Sequence, residues 1–390
     1  MVNYYLYPDD WAYKEDGSTP SVLDGTDGTV RVHTPKFYGK SGSNGNKRWV
    51  RISLVKLDDS WVEIPELLID AYRNTVDNTV SATPKAVSVV NTTEAFRGGG
   101  NRAQFDKYLT TELDTKDAFR SDLGKPRTNV SRANMRTYAT NAGSELLCYE
   151  YYKWIFYWNY VIEYANFNSQ AAYNAELTSD GYRQGGLGPG VTDWSNSATS
   201  WSGYNGTYPI TPCGYCNDIG NFTGIKDLVI PECTATNETV ATKTFKVPRW
   251  RGFDNPFGDI WTNLDGVVIQ KTAANEISSV YTTTNKEEFT DVIGSKTIAG
   301  YEVVQDGYIK EFDLGETAEI IPSSCTEASA TTYICDYHSC NATSTELRTL
   351  LVVGGHAYDG GGAGLGSFLS SVGVGDAGSD VGFRTLNRVS

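Results

Sequence analysis

A glycine-rich segment over 354–380, bracketed by two apolar runs, constrains the fold of this chain most. Leu350-Leu351-Val352-Val353 precedes it and Val381-Gly382-Phe383-Arg384 follows it. Short apolar runs between turn signals predict buried strands, and glycine turns the backbone without a Cβ clash. We therefore expect the two strands to be neighbours in one sheet and to present 354–384 as an ordered, displayed surface. A flexible tail is the alternative.

Composition narrows the fold class and the partners. The 390 residues are 39% hydrophobic and 21% charged, which excludes a wholly disordered chain. The 39 Gly, 25 Tyr and 9 Trp favour a loop-rich β or α+β protein over a helical bundle. A net charge of −14 argues against binding nucleic acid. The most apolar window, 146–165, contains three charged side chains, so we expect no membrane insertion. The first residues show no signal peptide.

Local patterns place two central helices among short strands. Ser131 is a good N-cap for a helix through Ala139. Apolar residues recur at three- and four-residue steps over Glu145–Asn166, which predicts the strongest helix. A short helix is also expected over 61–75. Alternation and short β-like runs predict strands within 29–40, 51–57, 242–248, 266–271, 278–282, 301–311, 350–353 and 381–384.

Four cysteines and one carboxylate pair are the candidates for metal binding. Cys213 and Cys216 form a C-x-x-C, and Cys335 and Cys340 flank His338. These side chains could build a zinc site, but the spacing also suits free buried thiols, and we expect no metal. The pair Asp254/Asp259 could bind calcium, although such loop carboxylates more often accept backbone N–H groups.

Catalytic residues are not indicated by the sequence. The chain has three histidines, His33, His338 and His356, and no spacing that singles out a nucleophile and a base. We therefore expect no enzymatic activity, no catalytic residue and no cofactor.

Candidate binding residues fall in two segments. In the glycine-rich segment the expected contact residues are His356, Tyr358, Asp359, Leu365, Phe368 and Ser371. Trp201 and Tyr204 are expected to support them, because aromatic rings among Ser, Gly and Asn are typical of binding surfaces. The other interpretation of that aromatic segment, from Trp194 to Tyr208, is a set of small cores that anchor loops.

An ordered set of motifs resembles the C-type-lectin-like fold in its formylglycine-generating-enzyme (sulfatase-modifying-factor) variant. The matching segments are Pro126-Arg127-Thr128-Asn129-Val130-Ser131, Glu163-Tyr164-Ala165, Asn255-Pro256-Phe257-Gly258 with Trp261 and Gly266, Gly354-Gly355 and Gly382-Phe383-Arg384. The family's oxidases place catalytic cysteines between the last two motifs, and this chain has no Cys from Asn341 onward. The resemblance therefore implies the fold without the copper chemistry. Calcium motifs of animal lectins are also missing.

A closer resemblance is to virion proteins of gut Bacteroidales phages, including the crAss-like phages. The segments that carry it are 2–11, 23–28, 35–38, 163–166, 184–188 and 335–338. Relatives of such proteins diversify a C-terminal region at adenines, and AAC codons mutated in that way never encode Lys, Glu, Gln, Met or Trp. Residues 354–384 contain none of these five.

The resemblance implies a head or tail fibre component that binds a host-surface glycan or outer-membrane protein. It implies a lead-in or attachment segment over 1–28 and a C-type-lectin-like domain with long ordered loops over 29–390. Other expectations are contacts with further virion proteins, a homo-oligomer (dimer or trimer), and a place in the virion after assembly in the host bacterial cytoplasm. The alternatives are a capsid-decorating or fibre-joining protein without receptor binding, and, as a third class, a hydrolase or metal oxidase.

Overall fold

The computed structural model describes residues 19–45, 47–99, 121–170, 210–233, 239–330, 332, 334–340, 342–357 and 359–389. The described strands are β1 (Arg31–Thr34), β2 (Phe37–Asn44), β3 (Lys47–Ser53), β4 (Val62–Ile64), β5 (Leu67–Asp70), β6 (Thr75–Asp77), β7 (Lys85–Val87), β8 (Phe96–Arg97), β9 (Glu145–Leu146), β10 (Gly224–Cys233), β11 (Thr239–Trp250), β12 (Phe253–Asp254), β13 (Trp261–Gln270), β14 (Ser278–Thr282), β15 (Thr297–Glu302), β16 (Gly307–Tyr308), β17 (Glu311–Asp313), β18 (Ile321–Ser324), β19 (Tyr337–Ser339), β20 (Arg348–Val353), β21 (Phe368–Leu369), β22 (Val381–Gly382) and β23 (Thr385–Arg388). The fold is α+β, as the composition predicted.

Two sheets organise the described part of the chain. The larger follows the order β15-β14-β13-β20-β21-β19-β16, with β22 added to β13. The smaller follows the order β1-β5-β23-β9, which brings early and late strands of the chain into one sheet. Shorter groups, β10-β11-β12, β3-β2-β4, β7-β6-β8 and β17-β18, surround them. Because β23 pairs with β5, residues near 70 and residues near 388 complete the same sheet.

The first central helix is confirmed. Helix α1 covers Arg132–Asn141, and the Ser131 hydroxyl accepts a hydrogen bond from the Asn134 amide, as an N-cap does. The buried Arg132 guanidinium donates to the carbonyls of Leu264 and Val267. This contact fixes α1 against β13 at the point where the β13–β20 register shifts.

The second central helix begins later than predicted. Residues 145–146 form β9, and the helix then runs as α2 (Tyr149–Tyr152), a π-helical segment (Lys153–Trp158) and α3 (Asn159–Tyr164). Every residue of the π-helical segment is buried. The helix is therefore buried on all sides along 153–158, whereas the sequence pattern predicted a single apolar face; its last turn is exposed at Ile162 and Glu163.

Three further outcomes concern local structure. The helix expected over 61–75 is wrong, because this segment forms β4 and β5 and the start of β6. Short 3₁₀ turns occur at Asn217–Ile219, Lys286–Glu288 and Gly360–Gly362. None of the helices described is long and apolar enough to cross a bilayer.

The main core collects apolar side chains from Val30 to Leu386 around the second helix. Trp154 and Tyr157 on that helix are almost completely buried. Leu23, from the expected lead-in segment, packs against this core, and its carbonyl accepts a hydrogen bond from the Val90 amide. At least the described end of the lead-in segment is thus part of the folded body.

Candidate functional site

The glycine-rich segment is an excursion whose two ends are tied to one strand. Val353 of β20 and Gly382 of β22 both pair with Thr262 of β13, the first antiparallel and the second parallel. The two apolar runs therefore lie in one sheet, as expected, but β13 separates them and they are not direct neighbours. We refer to residues 354–381 as the C-terminal excursion.

His356 closes the base of the C-terminal excursion with two carboxylates. Its Nδ1 lies 2.8 Å from Asp359 Oδ2, and its Nε2 lies 3.5 Å from Asp380 Oδ2. The same Asp359 oxygen accepts a hydrogen bond from the His356 backbone N–H. Burial lowers the pKa of His356, but the hydrogen bond and charge of Asp359 and the charge of Asp380 outweigh it and raise the pKa. His356 thus links the beginning of the excursion to its end.

The middle of the C-terminal excursion turns into the protein interior. Leu365 and Phe368 are both 0% exposed and belong to the main core. The Leu365 backbone accepts a hydrogen bond from the Tyr152 hydroxyl at 2.7 Å and donates one to Ser169 Oγ at 2.7 Å. Their expected role in receptor contact is therefore wrong, because neither side chain reaches the surface.

Glycine makes this inward turn possible at one position in particular. A Cβ on Gly364 would lie 1.9 Å from Asp336 Oδ1, and the Gly366 amide donates to Asp336 Oδ2 at 2.7 Å. Burial raises the pKa of Asp336 well above its usual range. The backbone thus packs directly on a buried carboxyl group, which only glycine permits.

The remaining candidates in the excursion are partly accessible or lie outside the described residues. Asp359 and Ser371 are half-buried, and 375–377 are exposed. Tyr358, Trp201 and Tyr204 lie outside the described residues, as do Trp194 and Tyr208. Asp359, Gly361, Ser371 and the exposed residues 375–377 are therefore among the described residues of the excursion that a partner could reach.

The candidate metal ligands are occupied by other contacts. The sulfur of Cys213 lies 3.4 Å from the Arg73 carbonyl oxygen, and that of Cys216 lies 3.6 Å from the Val247 carbonyl oxygen. Burial raises the pKa of Cys335 and of Cys340 to about 12. Among the described residues no three His, Cys, Asp or Glu side chains gather in a way that could hold a metal ion.

Asp254 and Asp259 serve the backbone, as the commoner interpretation of such loops predicted. Asp254 Oδ1 accepts from the Cys216 amide and lies 3.4 Å from the Arg249 guanidinium. Asp259 accepts from the Thr211 amide, and burial raises its pKa to about 6 against the opposing effect of Arg73.

A buried polar cluster around His338 was not predicted. His338 Nε2 donates to Glu302 Oε1 at 2.8 Å, and its Nδ1 donates to the Gln305 carbonyl at 2.8 Å. Cys325 Sγ lies 3.7 Å from Nδ1, and the Ser370 hydroxyl donates to Glu302 Oε1. The sequence indicated Cys335 and His338 only as candidate metal ligands, and no motif linked His338 to Glu302.

The sequence also gave no indication of a surface cleft that the structure contains. It encloses about 720 Å³ between α1, β9, the 286–288 turn and β23. Its apolar lining comes from Ala139, Leu146, Phe289 and Leu386, and its polar lining includes Arg136, Thr140, Ser144, Glu145, Asn387 and Arg388. We call it the α1–β23 cleft. Because its lining comes from three distant segments, no local motif marks it.

Comparison with known proteins identifies no family for this chain. No protein-family model matches it, and no curated protein matches it.

Proposed function

We propose that the chain is a bacteriophage virion structural protein, a head or tail fibre component with a C-type-lectin-like fold that binds the host cell surface. The observation that carries the proposal is the shared pairing of Val353 and Gly382 with Thr262. A displayed loop needs both of its ends fixed on a rigid scaffold if its surface is to stay ordered. The ordered set of sequence motifs described above supports the same assignment.

The contact surface in this proposal is the accessible part of the C-terminal excursion. It comprises Ser371, Asp359 and the exposed residues 375–377. Tyr358, which lies outside the described residues, remains a proposed contact. His356 holds the base of this surface through Asp359 and Asp380. Trp201 and Tyr204 remain proposed supporting contacts. The partners are a host-surface glycan or outer-membrane protein and neighbouring virion proteins.

Weak contacts of this kind become effective through repetition. A homo-oligomer, dimer or trimer, present in many copies on a virion assembled in the bacterial cytoplasm would convert weak single-site binding into avidity. No catalytic role or cofactor is included in the proposal. The Cys325–His338 pair does not argue for one, because Nδ1 of the fully buried His338 already donates to the Gln305 carbonyl.

The second candidate is a capsid-decorating or fibre-joining protein without receptor binding. The burial of Leu365 and Phe368 favours it over receptor binding by the excursion. Interfaces draw much of their binding energy from large apolar and aromatic side chains, and burial removes these two from the accessible surface. The exposed residues 375–377 are Gly375, Asp376 and Ala377, and none of them has a large apolar side chain.

Binding of the fluorescently labelled protein to Bacteroidales cells tests the proposal. The matched pair of variants is Tyr358→Ala/Ser371→Arg, which alters the contact surface, and Thr137→Ala, which changes an exposed residue of α1. We expect the first variant to lose binding while it remains folded, and the second to bind like the wild type. Absence of binding by the wild-type protein to every host strain would favour the second candidate.

A further inference from the structure

We propose that the α1–β23 cleft is a binding site for a short oligosaccharide. The inference rests on the proposed function in its choice of host-capsule sugars as probes, but the site itself is argued from the lining of the cleft. Its volume of about 720 Å³ lies within the range of ligand pockets in proteins. No residue of the C-terminal excursion lines it.

The polar groups of the cleft are held in place before any ligand arrives. Arg136 donates to both carboxylate oxygens of Asp265, at 2.6 and 2.9 Å, and to Asp291 at 2.7 Å. Arg388 donates to Glu145 at 2.7 Å and to the Thr284 carbonyl at 2.5 Å. Groups fixed in this way lose little conformational freedom on binding, which favours affinity.

The balance of charge argues against a simple anion as the ligand. Both arginines of the cleft are already neutralised by carboxylates, Arg136 by Asp265 and Asp291 and Arg388 by Glu145. At the rim, Lys286 is followed by Glu287. Counted with their ion-pair partners, the cations Arg132, Arg136, Lys286 and Arg388 are matched by Asp265, Asp291, Glu145 and Glu287. A phosphate or sulfate would therefore find no net positive charge at this site.

Sugar hydroxyls suit this mixture better, because each hydroxyl both donates and accepts hydrogen bonds. Glu145 and Asn387 supply acceptors, and Arg388, Ser144 and Thr140 supply donors. Asn387 Oδ1 is buried without a hydrogen-bond partner among the described residues, while its Nδ2 donates to the Gly143 carbonyl at 3.4 Å.

The apolar lining completes the match to a sugar. Phe289 is the half-buried apolar side chain of the lining, whereas Leu386, Leu146 and Ala139 are at most 1% exposed. A pyranose ring has an apolar C–H face and a polar edge, so it can cover Phe289 while its hydroxyls meet the polar lining. A purely apolar ligand would instead bury the charged side chains of Glu145, Arg136 and Arg388, at a cost in free energy.

Titration of the full chain with capsular oligosaccharides tests the site. The probes are short oligosaccharides released from Bacteroidales capsular polysaccharide, followed by isothermal titration calorimetry, with inorganic phosphate as the anionic comparison. Thr140→Trp places a large ring in the cleft from an exposed position of α1, and Thr137→Trp places the same ring on α1 outside the lining. Asn387→Ala removes a polar group without adding bulk.

We expect Thr140→Trp to weaken oligosaccharide binding by about tenfold or more and Thr137→Trp to leave it unchanged. Asn387→Ala should also weaken binding. Equal binding by Thr140→Trp, no binding of any oligosaccharide by the wild type, or displacement of the sugar by equimolar phosphate would each overturn the inference.

The failure of this site and the failure of the proposed function give different results. If cell binding is lost in Tyr358→Ala/Ser371→Arg, the proposed function is supported. If oligosaccharide binding is at the same time unaffected by Thr140→Trp, the cleft site is contradicted. If the cleft binds oligosaccharide but the protein stains no host cells, the cleft site is supported and the proposed function is contradicted.

Discussion

Val353 and Gly382 pair with the same residue, Thr262, on the two edges of strand β13. The C-terminal excursion therefore begins and ends at one point of the large sheet, and between these ends its strand β21 pairs with β20 and β19. A change in the accessible part of the excursion can then be tolerated without moving the strands that hold it. This relationship is the structural basis for treating the excursion as a displayed surface.

The inward turn of the excursion predicts an unusual sensitivity at Gly364. Gly364→Ala would place a methyl group within van der Waals overlap of the buried Asp336 carboxyl group. We expect a loss of about 3 kcal/mol in the free energy of unfolding, measured by urea denaturation. Gly375→Ala is the control, because its Cβ would meet nothing within 4 Å. Similar stability of the two variants would contradict the packing described here.

His338 predicts a pH dependence of stability. Burial lowers its pKa, but hydrogen bonds with Cys325 and Glu302 and the charge of Glu302 outweigh burial and raise the pKa to about 9. A raised pKa means that the folded state holds the proton more tightly than the unfolded state, whose pKa is about 6.5. The stabilisation is complete below pH 6.5 and is lost as the pH rises through 9, with a total of about 3 kcal/mol.

His338→Gln keeps a hydrogen-bond donor for Glu302 but removes the titrating group. Urea denaturation between pH 6 and pH 10 should show the stability of the wild type falling towards that of the variant. A constant difference between the two proteins across this range would show that His338 does not titrate as described.

Lys153 predicts a strong coupling with Glu319. The buried ammonium contacts Glu319 and lies 2.6 Å from Glu150, and Thr317 accepts a hydrogen bond from it at 3.0 Å. Lys153→Met alone should cost about 3 to 5 kcal/mol, because it leaves Glu319 buried without its partner. Lys153→Met/Glu319→Leu should recover most of this loss. Additive effects in the double-mutant cycle would rule out the coupling.

The N-cap of α1 gives a smaller effect that the sequence alone anticipated. Ser131→Ala removes the acceptor for the Asn134 amide and should cost about 1 kcal/mol. Ser131→Asp, which retains an acceptor, is the control and should stay within a few tenths of a kcal/mol of the wild type. Thermal unfolding followed by circular dichroism compares the three proteins, and no difference between Ala and Asp would contradict the cap.

Local signals in the sequence predicted local structure well. The Ser131 cap placed α1, and the apolar run Leu350–Val353 placed β20, because each signal resides in adjacent residues. The segment 61–75 carries no such signal, and the helix expected there is wrong. Its strand Leu67–Asp70 depends on pairing with Arg31–Thr34 and with Thr385–Arg388, which no local pattern reveals.

Local sequence patterns were also insufficient to predict the candidate site. Leu365 and Phe368 were expected at the surface because they lie among glycines, yet glycine also lets the chain pass close to Asp336 and carry both side chains inward. The α1–β23 cleft joins residues near 140, 286 and 387, so only the tertiary fold brings its lining together. His356 was also expected to contact a receptor, but it is only 8% exposed and links Asp359 to Asp380 at the base of the C-terminal excursion.

Cell binding by the wild type and by Tyr358→Ala/Ser371→Arg tests the central claim most directly. The measurement is flow cytometry of labelled protein on Bacteroidales cells, with circular dichroism to show that the variant is folded. We expect the wild type to stain cells saturably and the folded variant to lose this staining. Equal staining by both proteins would contradict receptor recognition by the C-terminal excursion.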